Sequence, residues 1–181
     1  MSVADLVAVA LIVAVRGLVP LLLLRWPFWA ALACMAGDAF DSAIQDALGS
    51  HVLRPWYHDV DKAFDTYYLG FEAWIVYRRW IDPLARTTAL VLFAVRLGAA
   101  VLFEITGVRA LFFFGANVFE NFYIFVAGRL QIDASYRIRS VRGLVLILAI
   151  TGAPKLLQEY VMHYRESQTW EFVKRNILMW R

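Results

Sequence analysis

The chain has 181 residues, 61% of them hydrophobic and 15% aromatic, with a mean hydropathy of +0.59. Too few polar residues remain to cover a soluble domain of this length, so composition excludes that class and makes a lipid bilayer the natural solvent. The net charge is +3, yet the basic residues sit at the ends of apolar runs, where they anchor helices at headgroups, so no nucleic-acid partner is expected. Cys34 is the only cysteine, which excludes an intrachain disulfide and a cysteine-based metal cage. The expectation is an all-α, polytopic integral membrane protein: one domain over 1–181, about six transmembrane helices and a C-terminal amphipathic helix.

The first span is predicted from Val3 to Leu24, interrupted by Arg16 and Pro20. No basic stretch precedes it and no small-residue cleavage site follows, so it is expected to be a retained helix. Arg25-Trp26-Pro27 reads as a tight turn with an interfacial tryptophan. The second span covers Phe28 to about Leu48, and Gly49 to Tyr57 reads as a surface loop holding His51, Arg54, Pro55 and Trp56. The third begins near Asp59 and ends before Arg78-Arg79, and Asp82-Pro83 marks the following turn. The fourth covers roughly Leu84 to Phe103 with Arg96 inside it, and Glu104 to Val108 is a short turn. The fifth runs from about Arg109 to Gly128 and holds Asn117, Glu120 and Asn121 within an aromatic segment. A basic loop from Arg129 to Arg142 leads to the last apolar run, Gly143 to Leu157, which contains Pro154 and Lys155. The tail, Gln158 to Arg181, alternates charge with Trp170, Phe172, Ile177, Leu178 and Trp180, a pattern for an amphipathic helix lying on the membrane. Loop arginines assign the face carrying Arg25, Arg78, Arg79, Arg86, Arg129, Arg137, Arg139 and Arg142 to the cytoplasm, whereas the basic tail argues for the opposite orientation.

Acidic residues are concentrated at one end of the second and third spans. Asp38, Asp41 and Gln45 fall at i, i+3 and i+7, and Asp61, Asp65, Tyr68 and Glu72 at i, i+4, i+7 and i+11, so each set forms one helical stripe. A short connection would bring the stripes together. Each ionised carboxylate inside a membrane helix costs at least roughly 2.5 kcal/mol, so the acids must be paired, protonated or bound to a cation. Hard oxygen ligands suit Mg2+, Mn2+ or calcium, and such a metal typically holds a phosphate or diphosphate. A structural account treats Asp46, Asp59, Asp61 and Asp65 as interfacial caps or as partners of His58, Lys62 and Arg54. It leaves Asp38 and Asp41 unexplained, midway along an apolar helix.

The arrangement Asp38-Ala-Phe-Asp41-Ser42, a short loop, then Asp61-Lys-Ala-Phe-Asp65 resembles the signature of the CDP-alcohol phosphatidyltransferases. That family has six membrane helices with its signature on the second and third, and an arginine-then-proline pattern in the first that is similar to Arg16 and Pro20 here. The resemblance implies that Asp38, Asp41 and Asp61, together with Asp65, hold Mg2+ or Mn2+, and that Asp65 is the base activating the alcohol. Ser42, Gln45, Asp46 and Tyr57 stand where the family has glycine, alanine, arginine and glycine, and its glycines and arginine belong to nucleotide recognition.

Arg16 and Arg96 are candidate phosphate ligands if they line a cavity, or else partners of Glu120. Asn117, Glu120 and Asn121 share a face that cannot point at lipid, and interhelical hydrogen bonding accounts for them. The spacing of His51, His58 and His163 does not indicate zinc. The function expected is a metal-dependent membrane transferase acting on a lipid-linked or diphosphate substrate. The alternatives are a non-enzymatic membrane subunit or lipid-binding scaffold, and a cation or proton pathway lined by the acids. Membrane lipids, a lipid-phosphate substrate and a homodimer or larger membrane complex are the partners considered.

Overall fold

The computed structural model describes residues 3–47, 57–108, 111 and 115–159, with the side chains of 4, 39–47, 57–59, 61, 158 and 159 outside that description. The loop expected over Gly49–Tyr57 lies outside the described residues except at Tyr57, and the expected amphipathic tail does so beyond Glu159. Among the described residues there are six α-helices, one 3-10 helix and no strand, so the protein is all-α. The chain divides into two compact units, Met1–Ile81 with Val126–Tyr136, and Asp82–Phe125 with Arg137–Arg181.

In the first unit, α1 (Val3–Leu18) passes directly into a 3-10 helix, Val19–Leu24. The change of winding comes at Pro20, which has no N–H to donate and whose ring crowds the preceding turn, so the apolar run continues in a tighter form. Arg25 and Trp26 then donate their N–H groups to the Leu22 carbonyl at 3.0 and 2.8 Å, closing the turn. Helix α2 (Pro27–Ala47) starts with proline at its first position, where the missing N–H would have had no partner in the helix. Its small buried residues, Ala30, Ala31 and Cys34, let it approach α1 and the 3-10 segment closely. Helix α3 (Tyr57–Arg79) closes on the same segment with Leu69, Ala73, Ile75 and Val76 buried. The Tyr67 hydroxyl donates to the Gly17 carbonyl at 3.2 Å, and an Arg79 Nη2 donates to the Leu24 carbonyl at 2.7 Å.

These contacts establish direction. Gly17 meets Tyr67 and Leu24 meets Arg79, so α3 runs parallel to the first span. Val15 lies against Gly37 while Pro20 and Cys34 line one cavity, so α2 runs antiparallel to both. Toward the end of the unit, Gly128 packs against the Phe28 ring, and Arg129 lies over the Tyr136 ring at 4.9 Å.

In the second unit, α4 (Pro83–Thr106) is bounded by strong signals at both ends. Asp82 is its N-cap, accepting from Leu84 N at 3.0 Å, and the same carboxylate accepts from Ile138 N at 2.7 Å. Gly107, at φ 68°, ends the helix in the left-handed conformation and donates its N–H to the Phe103 carbonyl. Helix α5 (Val118–Ile132) begins in this unit, where Phe119 meets Phe93 with ring centroids 5.4 Å apart. Helix α6 (Val141–Glu159) contains Pro154, and its Thr151 carbonyl accepts from Asn121 Nδ2 at 3.0 Å.

The expected fifth span needs correction. Leu111 is helical but residues 115–117 are not, so the run is interrupted and a helix begins at Val118, where Asn117 accepts from Glu120 N at 3.4 Å and donates to Glu120 Oε2 at 3.0 Å, a reciprocal cap. Residues 109–110 and 112–114 lie outside the described residues.

Among the described residues, two runs are long and apolar enough to cross a membrane, Asp5–Leu24 and Pro83–Thr106. The remaining expected spans do not reach that standard. Helix α5 has 15 residues, about 22 Å of helix against a hydrocarbon core of roughly 30 Å, and α2 and α3 carry the acidic stripes.

Candidate functional site

The site is built where α1, α2 and α3 meet. An Arg16 Nη2 lies 3.1 Å from an Asp38 carboxylate oxygen and 2.5 Å from one of Asp65. The guanidinium also lies over the Phe64 ring, 5.6 Å from its centroid. One buried cation therefore joins one acid from each of the two stripes.

Each helix delivers its residue for a local reason. Arg16 sits in the last turn of α1, where a cation is favoured by the helix dipole, and just before the Pro20 change of winding. Asp38 follows Gly37, whose missing side chain allows α2 near Val15, where an added Cβ would be 3.2 Å away. Asp65 lies on the face of α3 that continues through buried Tyr68 and wholly buried Glu72, so the second stripe points inward.

Exposure separates the three groups. The Arg16 side chain is 4% exposed, that of Asp65 23% and that of Asp38 43%, so the cation is sealed while the acids open outward. Behind the guanidinium lies a cavity of about 10 Å³ bounded by Val15, Pro20, Cys34, Gly37 and Tyr68. It has room for about one water molecule.

Two candidate metal ligands extend this end of the unit by register. Asp41 is one turn beyond Asp38 on α2, and Asp61 is one turn before Asp65 on antiparallel α3, so both positions lie further toward the same end. The side chains of Asp41 and Asp61 are outside the described residues. Among the described residues, no group of three His, Cys, Asp or Glu side chains is placed to hold a metal. The donor chemistry converging on Arg16 is all carboxylate oxygen, which fits a hard divalent cation.

The other candidates fall elsewhere. Arg96, on α4, donates to the Gly115 carbonyl at 3.3 Å. Asn117 and Glu120 are cap residues, and Asn121 makes the expected interhelical bond, to Thr151. The pattern Asn117-x-x-Glu120 is itself the signal for a helix start that the aromatic run concealed. The pairing of Arg16 with both acids was also missed by the sequence reading. A lone arginine in the first span with two acidic stripes downstream is the pattern that could have revealed it. No family model matches the chain, and neither does any curated protein or solved structure.

Proposed function

We propose that the chain is a multi-pass membrane transferase that moves a phosphate-linked group from a lipid-linked or diphosphate donor to an alcohol. The observation that carries this reading is the convergence of Asp38 and Asp65 from two helices on one side of a sealed arginine, with both carboxylates open outward. Asp38, Asp41, Asp61 and Asp65 would hold a magnesium or manganese ion, which when bound would neutralise the charge of the diphosphate. Asp65 takes the proton of the attacking hydroxyl, whose oxygen bonds to phosphorus as the bond to the leaving group breaks. Arg16 offsets part of the carboxylate charge and fixes the spacing of α2 and α3.

The multi-pass part of the proposal is supported by apolar surface. Exposed Val91, Val95, Val101 and Leu102 on α4, and Val145, Leu146 and Ile150 on α6, leave those helices unsuited to water. Activity is tested with Asp65→Asn, which removes the base without changing shape. Transfer should fall by roughly 10²–10⁴-fold with the protein still folded. Wild-type turnover by that variant would remove Asp65 from the mechanism.

A second reading has an observation of its own: Arg16 is almost completely buried against both acids, as in a structural clasp. In that reading the chain is a membrane scaffold and Asp38–Arg16–Asp65 only ties three helices together. The two readings differ in whether divalent cations bind.

A further inference from the structure

In the first unit an apolar groove of about 340 Å³ runs between the 3-10 segment and α3, from Tyr67, two residues past Asp65, away toward Leu24 and Trp74, and is lined by Leu24, Tyr67, Gly70, Phe71 and Trp74. Tyr67, Phe71, Trp74 and Arg78 lie at i, i+4, i+7 and i+11, so the stripe that floors the groove runs on into a basic residue. Across the groove, the Leu24 carbonyl is held by Arg79, and Arg25 is the next residue along the chain. Arg25, Arg78 and Arg79 are all exposed. Around those arginines the segments 20–32 and 73–81 contain no acidic residue, and Asp133, in the segment that packs against Phe28, accepts from Ser135 N and Oγ. Exposed Trp26, Trp29 and Trp74 add the amphipathic rings that settle at headgroup depth.

We infer that this groove is a binding site for an anionic phospholipid, with one acyl chain lying along Tyr67, Gly70, Phe71 and Trp74 and the phosphate held by Arg25 and Arg78. A greasy slot floored by aromatic rings takes a hydrocarbon chain, and exposed arginines at its end select a negative headgroup. The slot spans about two turns of α3, or roughly 10 Å, enough to seat part of one chain. Its headgroup end is separate from the carboxylate site: Arg78 lies thirteen residues beyond Asp65 on α3, about 20 Å along the axis. The site therefore belongs to a resident lipid that anchors or regulates the protein. The inference rests on the membrane part of the proposed function and is independent of the chemistry proposed there.

The full chain is reconstituted into phosphatidylcholine vesicles containing increasing fractions of brominated phosphatidylglycerol or brominated phosphatidylcholine, and tryptophan quenching is measured. Comparison with Trp74→Phe isolates the signal from the groove. The Trp74 component should be half-quenched at a several-fold lower mole fraction of the anionic lipid than of the neutral one. Arg25→Gln with Arg78→Gln should abolish that preference. Gly70→Leu, at a position where an added Cβ meets no atom within 4 Å, should fill the slot and reduce the quenching by either lipid. Equal quenching by both lipids, or a preference that survives the double substitution, would overturn the inference while leaving the membrane reading intact. Absence of quenching at every tryptophan with either lipid would overturn both.

Discussion

Arg16 is the residue on which the first unit depends most. Its guanidinium holds two carboxylates from different helices while itself sealed from solvent. Replacing it with methionine keeps the length of the side chain but leaves Asp38 and Asp65 facing one another without their cation. A loss of roughly 3 kcal/mol is expected, at the low end for a broken buried pair because both acids retain some solvent. Chemical denaturation in detergent measures it, and adding Asp38→Asn and Asp65→Asn to Arg16→Met should recover much of the loss. An unchanged midpoint for Arg16→Met alone would show that the ion pairs do not hold the helices. At this scale the sequence was legible in part. The shared face of Asp65, Tyr68 and Glu72 followed from spacing, and the last two are buried. The partner of Asp38 and Asp65 did not follow, because it lies 22 and 49 residues away and helical spacing carries no information across a connection.

At the scale of elements, short polar side chains and glycines decide where helices stop and start. Asp82 uses one carboxylate oxygen to cap α4 and the other to hold the backbone of Ile138, two tasks on one residue. Asp82→Ala is expected to cost about 1–2 kcal/mol by thermal unfolding, and Asp82→Asn less, since the amide retains an acceptor for one of the two N–H groups. Gly115 is placed differently: a Cβ there would collide with the Ala99 Cβ. Gly115→Ala should therefore destabilise by about 1–3 kcal/mol, and Ala99→Gly added to it should restore part of the loss. Proline and cap signals made two boundaries readable, the Pro20 interruption and the Asp82-Pro83 start, whereas α4 runs three residues past the expected end at Phe103, to Thr106, because Gly107 rather than Glu104 supplies the left-handed stop. The start of α5 was not read, because the apolar run 109–116 drew attention away from the Asn117 and Glu120 cap.

For the whole molecule, composition alone pointed to lipid and to helices, and the described residues are all-α. The number of crossings is less direct, since Asp5–Leu24 and Pro83–Thr106 are the described runs with both the length and the apolarity to span. Orientation is set by experiment: Ser50→Cys in a Cys34→Ala background, treated in intact cells with an impermeant thiol reagent. A cytoplasmic nucleotide-activated donor requires that Ser50→Cys stay unlabelled until the cells are permeabilised, and labelling from outside would exclude such a donor. The central claim, that the acidic end takes a divalent cation, is tested most directly by titrating Mn2+ into the detergent-solubilised full chain and following free Mn2+ by electron paramagnetic resonance. The proposed transferase predicts saturable loss of the free-ion signal in the wild type, strongly weakened in Asp38→Asn and in Asp65→Asn. A free-ion signal that the protein leaves unchanged, or that the two substitutions do not affect, would contradict it and leave the Arg16 clasp as the whole role of these acids.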